Sequence, residues 1–191
     1  MAFDAGLNPK YFRSELAVDK LIMQMEEQFN LVMISEHMES SLVLLADMMC
    51  WPLEDMTFIK LNVQPSNLSR TYTLNKEDRE KLREMNWADM KIYKHFLRKF
   101  RLRVRQFGED RMKEQERRLK RRNRQLEAEC VERVLVPEPK LKEDNSFAVN
   151  TYELKLNAPE ICHLMVMPEL NFTDFIRQNQ IKRFRNKHIL Q

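Results

Sequence analysis

Apolar residues are most concentrated in one stretch of the chain, Phe29 to Trp51, FNLVMISEHMESSLVLLADMMCW. Leu31 to Ile34 is a continuous apolar run of strand length. A run without alternation predicts a strand buried on both faces, as in a parallel sheet. Ser35 to Ser41 is a polar turn that leads into a helix. Ser35 stands where a cap is needed, and Glu36 and Glu39 suit the positive end of a helix dipole. Met38, Leu42, Leu45 and Met49 make one stripe. Val43, Leu44, Ala46 and Met48 are apolar too, so this helix is expected to be buried over most of its circumference. Pro52 stops it.

The flanking pattern is mostly helical. Ser14 to Gln28 predicts a helix with Leu16, Ile22, Met25 and Phe29 near one stripe. Leu53 to Met56 predicts a short helical turn, and Thr57 to Val63 a second strand. Two βα-like pieces in succession predict part of an α/β layer fold. Gln64 to Tyr72 reads as loop. Asn75 or Thr73 caps a helix to about Met85. Asn86 caps the next, in which Met90, Tyr93, Leu97, Phe100, Val104 and Phe107 recur at 3–4 spacing until Gly108. A weaker pattern runs from Glu109 to Leu135. Its Met112, Leu119 and Leu126 are spaced by heptads, but Gln115 and Arg122 are polar, which makes a poor coiled-coil seam. A long exposed helix docking near its ends is expected. Pro137 and Pro139 end it, and Lys140 to Asn150 is a polar loop. Tyr152, Leu154 and Leu156 alternate with polar residues and predict a half-buried strand. The last helix, about Glu169 to Phe184, carries Phe172, Phe175 and Ile176 on one side, with a fraying tail.

Composition narrows the chemistry. Gly6 and Gly108 are the only glycines in 191 residues, which excludes a glycine-rich phosphate cradle. Neither G-x-S-x-G nor H-E-x-x-H occurs. His37, His95, His163 and His188 have no metal-ligand spacing, so no metal is expected. The turn offers the best site. Glu36, His37, Glu39 and Ser41 bring carboxylates, an imidazole and a hydroxyl that suit hydrogen bonding to a sugar, at a place where α/β folds hold ligands. The plainer alternative is a capped helix start. The net charge of +4 conceals an asymmetry: Arg98 to Arg124 holds thirteen Lys/Arg and four Asp/Glu. That stretch is either a solvated helix with pairs such as Glu114–Arg118 and Glu116–Lys120 or a non-enzymatic interaction surface for an anionic partner. Few aromatics follow Phe107, so nucleic acid is not expected. Trp51 and Trp87 read as packing residues rather than sugar platforms. Cys50, Cys130 and Cys162 form no CxxC pair, and an odd count leaves one thiol over. Asn67 and Asn171 begin N-x-[ST] sequons, which permit a secretory-pathway protein.

The central stretch resembles the galactose-3-O-sulfotransferase family, in which F-x-L-V-x-I-x-E is followed by an aromatic pair, an acidic pair, S-L-V-L-L and Cys-Trp. Here these are Phe29, Leu31, Val32, Ile34, Glu36, Ser41-Leu42-Val43-Leu44-Leu45 and Cys50-Trp51. Phe3-Asp4-x-Gly6 resembles the family's F-D-x-G element. Asn86-Trp87-Ala88-Asp89, Phe107-Gly108, Cys162-x-Leu164 and Pro168-Glu169 also fit. His37-Met38 replaces the usual aromatic pair, and Glu39-Ser40 keeps one of two acids. Both departures fall in the candidate acceptor turn.

The resemblance implies a partial P-loop-type sulfotransferase fold, α/β in class and predominantly helical in this chain. Its parts would be an α/β portion at 1–63, a helical portion at 64–136 and a C-terminal strand with helices at 137–191. It implies transfer of sulfate from 3′-phosphoadenosine-5′-phosphosulfate to the 3-hydroxyl of galactose on a glycolipid or glycoprotein in the Golgi, as galactosylceramide sulfotransferase does. The family's donor-binding loops and membrane anchor lie upstream of F-D-x-G. The chain is therefore expected to be the C-terminal part of a longer enzyme, with no catalytic or donor-binding residue of its own and no donor binding alone.

Overall fold

The computed structural model describes residues 1–61, 63, 74–136 and 150–188. The predicted loop Gln64 to Tyr72, its sequon at Asn67, Thr73, and the prolines and polar residues of 137–149 lie outside the described residues. The chain divides into two compact units, Met1–Met56 with Thr71–Arg121, and Thr57–Arg70 with Arg122–Gln191.

In the first unit, helix α1 (Glu15–Gln28) starts at Ser14, whose Oγ accepts the Ala17 N–H at 3.3 Å. Helix α2 is Met38–Met49, α3 is Lys76–Met85 and α4 is Trp87–Phe107. Asn75 caps α3 by accepting the Asp78 N–H at 2.8 Å. Helix α4 organises this unit. Ala88, Ile92, Phe96 and Phe100 recur every four residues and are all buried, because an i, i+4 row stays on one face. The upper part of that row packs with Val18, Leu21 and Ile22 of α1. Phe100 packs with Ile34 and with Val43 and Leu44 of α2. The predicted residues Met90, Tyr93, Leu97, Val104 and Phe107 flank this row and are half-buried. Gly108 ends α4 at φ +100°, a conformation that favours glycine, with its N–H reaching the Val104 carbonyl.

Two predicted faces shift. On α1 the buried residues are Val18, Leu21 and Ile22, while Leu16 and Phe29 are exposed. On α2 they are Ser40, Ser41, Val43, Leu44 and Ala46, while Met48 and Met49 are exposed. A nearly all-apolar helix has too weak a periodicity to say which side meets the core. The helix ends at Met49, with Cys50 left-handed at φ 54°, and Leu53–Met56 forms the expected short helical turn.

Helix α5 (Glu109–Cys130) belongs by its first part to the first unit and by its last turns to the second. Met112, Leu119, Leu126 and Cys130 are all buried. The expected docking near the ends is therefore corrected: Leu119, mid-helix, is fully buried with Ala46 and Met56. A weak heptad seam still suffices when its partner is a globular core rather than a second helix.

Helix and strand both occur, as expected of an α/β chain, but the strands are not where the apolar runs placed them. Leu31 to Ile34 is extended and unpaired, with Ile34 buried and Met33 exposed, and Thr57 to Leu61 forms no strand. The sheet found among the described residues is antiparallel: β1 (Val131–Leu135) pairs with β2 (Thr151–Leu154). The helix predicted to Leu135 thus stops at Cys130, where Val131 and Val134 favour a pleated partner. Strand β2 alternates exposed and half-buried residues as its pattern predicts. A register shift between Val131 and Arg133 leaves Glu132 unpaired as a bulge.

The second unit packs Ile59, Leu126 and the Cys130–Cys162 disulfide into one cluster. The Phe58 N–H donates to Asn123 Oδ1 at 3.1 Å, and the Tyr152 hydroxyl donates to the Lys60 carbonyl. Helices α6 (Glu160–Met165) and α7 (Glu169–His188) follow. Helix α7 continues to His188, into the tail expected to fray, whose residues 189–191 lie outside the described residues. No helix among the described residues is long and apolar enough to cross a membrane.

Candidate acceptor turn

The turn before α2 is built from both sides of Ile34. Ser35–His37 is a single 3₁₀ turn, and α2 begins at Met38 without a side-chain cap. Ser35, the predicted cap, instead donates its hydroxyl to Glu36 Oε2 at 3.1 Å. Ser41, one turn into α2, reaches back beneath the loop. Its Oγ accepts the Ile34 N–H at 3.0 Å and donates to the Ile34 carbonyl at 3.3 Å. The His37 N–H shares that carbonyl at 2.9 Å. Ser41 is fully buried, so its hydroxyl fastens the turn from the inside.

Glu36 and His37 face outward. Glu36 is exposed, and its Oε1 accepts the Tyr93 hydroxyl of α4 at 3.1 Å. Its own backbone N–H, then Tyr93 and Ser35, hold the carboxyl below the usual glutamate range. The same bond raises the Tyr93 phenol, with desolvation adding to it. The exposed His37 ring stacks on Phe100 at 5.6 Å between centroids and 14° between planes. Glu39 is half-buried on the first turn of α2. Ser40 is buried and donates to Glu116 of α5. A carboxylate kept ionised by donors is a good acceptor for sugar hydroxyls. It is a poor general base near neutral pH, where a catalytic base needs a pKa closer to ambient.

Tyr93, Phe100 and Glu116 complete this site, yet nothing local in the sequence marks them. They come from helices 57 to 76 residues downstream, or about that far, of the groups they touch. A second cluster was also unmarked. Glu26 of α1 accepts from His95 Nε2 at 2.7 Å and pairs with Lys99, both on α4. Lys99 first and His95 second hold the Glu26 carboxyl low.

The remaining candidates divide. Trp87 packs on the α1–α4 core with the Lys91 ammonium 5.6 Å from its ring. Trp51 is 48% exposed, which corrects its expected packing role: Pro52 and the left-handed Cys50 turn the chain outward there. Cys50 is free and exposed. Asn171 is exposed on α7. Among the described residues no group of His, Cys, Asp or Glu is arranged to hold a metal. In the basic stretch, Arg118 pairs with Glu54 rather than with the predicted Glu114, which takes Arg117 at 2.7 Å.

A family model for galactose-3-O-sulfotransferase matches residues 1–180 of this sequence. The chain belongs to that family. Bovine galactosylceramide sulfotransferase is 28% identical over 183 residues, which cover 89% of this chain and 43% of the relative. Human galactose-3-O-sulfotransferase 2 is 30% identical over 187 residues, 90% of this chain and 46% of the relative. Mouse galactose-3-O-sulfotransferase 3 is 29% identical over 199 residues, 96% and 46% respectively. This galactose-3-O-sulfotransferase family member thus spans less than half the length of these curated relatives. No solved structure matches it significantly.

Proposed function

We propose that the protein acts in carbohydrate sulfation and that this chain carries the acceptor side of the site, at the turn Ser35 to Ser41. The reaction is transfer of the sulfuryl group of 3′-phosphoadenosine-5′-phosphosulfate to the 3-hydroxyl of a galactose on a glycolipid or glycoprotein. The hydroxyl oxygen attacks sulfur in line, its proton passes to a base, and the adenosine bisphosphate departs on cationic groups. Glu36, His37 and Glu39 are the proposed sugar contacts, and Ser41 holds the turn that presents them. No catalytic base, donor-binding residue or metal is assigned in this chain. The setting is the Golgi lumen, with a P-loop-type core and a membrane anchor as in the family. The Cys130–Cys162 disulfide and the exposed sequon at Asn171 support an oxidising, glycosylating compartment.

The observation that carries this reading is the family match, which runs through the turn, together with the outward-facing Glu36 carboxylate and the stacked His37 ring. Its test is a calorimetric titration of the chain with lactose and with cellobiose. Lactose is expected to bind and cellobiose to bind at least several-fold more weakly. Glu36→Gln should cost roughly tenfold in lactose affinity, since a charge-assisted hydrogen bond is about twice as strong as a neutral one. Equal affinity for the two disaccharides, or an unchanged E36Q, refutes the reading.

A further inference from the structure

We infer that the acceptor site extends to a separate anion-binding subsite formed by Arg103, Gln106 and Arg111, and that it receives an oxyanion carried on the sugar chain. The inference rests on the acceptor reading of the turn. A cleft of about 410 Å³ lies between the C-terminal half of α2, the end of α4 and the start of α5, a volume within the usual range for small-ligand sites. Two guanidinium groups line it. Arg111 lies with its guanidinium carbon 4.0 Å from the centroid of the Phe107 ring, and it pairs with Asp47 at 3.0 Å. The stacking and the ion pair hold that fork in place while leaving most of its five N–H donors for a ligand. Arg103, exposed on α4, has no carboxylate partner among the described residues. Gln106 adds an amide donor, and Phe107 and Met48 supply an apolar wall. Arg103, Arg111 and Asp47 together leave one positive charge lining the cleft.

The ligand chemistry follows from this set of groups. Planar forks suit the oxygens of a sulfate ester or a carboxylate. The apolar wall suits the carbon face of a sugar ring. Location ties the cleft to the turn, because α2 runs from one to the other. Glu39 and Met48 are nine residues apart, ~13 Å along the helix axis and on opposite sides of it, so a ligand that engages both places has to pass around the helix. A galactose at the turn and a charged group farther along the same oligosaccharide would engage both places. A neutral galactoside would use the turn alone.

The test titrates the whole chain, at low and at physiological salt, with lactose and with oligosaccharides that carry lactose plus one sulfate ester or one uronic carboxylate on a further sugar. The charged ligands are expected to bind at least tenfold more tightly than lactose, by an advantage that shrinks with salt. Arg103→Gln should reduce that advantage to under threefold without changing lactose affinity, and Arg103→Lys should retain part of it. Thermal melting of R103Q at the wild-type temperature secures the fold. The sulfate and carboxylate arms identify which oxyanion is preferred, and a preference for either supports the subsite. The inference is overturned if charged and neutral ligands bind alike, or if the advantage survives in both R103Q and R111Q. It is also overturned if inorganic sulfate alone binds as tightly as the sulfated sugar, or if adenosine 3′,5′-bisphosphate competes at the same arginine. Loss of lactose binding with the charge preference intact counts against the galactose reading and leaves the anion subsite standing.

Discussion

Replacing Ser41 with alanine isolates what holds the turn before α2 in place. The substitution removes one oxygen and almost no volume, so its cost lies in hydrogen bonding. Ser41 serves both backbone groups of Ile34, which is itself 4% exposed. The Ile34 carbonyl keeps a partner in the variant, the His37 N–H at 2.9 Å. The Ile34 N–H has Ser41 as its partner at 3.0 Å and is left buried and unpaired. An unsatisfied buried donor costs about 1–3 kcal/mol, more than the ~1 kcal/mol net value of an ordinary hydrogen bond. With a urea slope of about 2 kcal/mol/M, the unfolding midpoint should fall by roughly 1 M. Trp51 and Trp87 both lie in the first unit, so their fluorescence reports that unfolding. Ser40→Ala is the matched control. Its hydroxyl serves the Glu116 carboxylate, which is half-buried and can turn to water, so its midpoint should shift less than half as far. In S41A the Ile34 amide should also exchange its hydrogen faster. A midpoint shift no larger than that of S40A, with Ile34 exchange unchanged, refutes the reasoning.

Two further outcomes test the rest of the structure. Cys130 and Cys162 are 32 residues apart, and closing a loop of that length constrains the unfolded chain by about 3.7 kcal/mol at 25 °C in the entropic model. Cys130→Ala with Cys162→Ala should therefore speed amide exchange in β1 and β2 by well over tenfold, and unaltered protection there would show that the pair is not holding the unit. Glu26 has its folded pKa depressed from the usual 4.5 by Lys99 and His95. Its stabilisation is present above the unfolded value and disappears as pH falls through the lower folded value. Between pH 5 and 3 the wild type should lose more stability than Glu26→Gln, read as urea midpoints by tryptophan fluorescence; parallel pH curves would mean that the α1–α4 cluster contributes nothing.

Local signals were legible in the sequence. Asn75 caps its helix because a side-chain oxygen needs only a neighbouring N–H to serve. Gly108 interrupts the two long helices because its φ is positive. Pro52, the turn before α2 and the alternation in β2 follow from equally short-range rules. The motif at Phe29 to Trp51 carried the family, which the match over residues 1–180 shows. Tertiary structure decided the rest, because these outcomes depend on partners distant in sequence. Leu31 to Ile34 has the composition of a buried strand, but a strand needs a neighbour to pair with, and Ile34 instead satisfies its backbone on Ser41. The α5 stripe is buried because a core lies against it, whatever its quality as a coiled-coil seam. Two of three cysteines are joined because the end of α5 and α6 meet in space. In the turn before α2 the sequence by itself determined which polar residues were available. Only the packing of α4 against α2 determined the long-range partners, the Tyr93 hydroxyl on Glu36 and Phe100 under His37, while Ser41 turned inward to hold the loop that presents them.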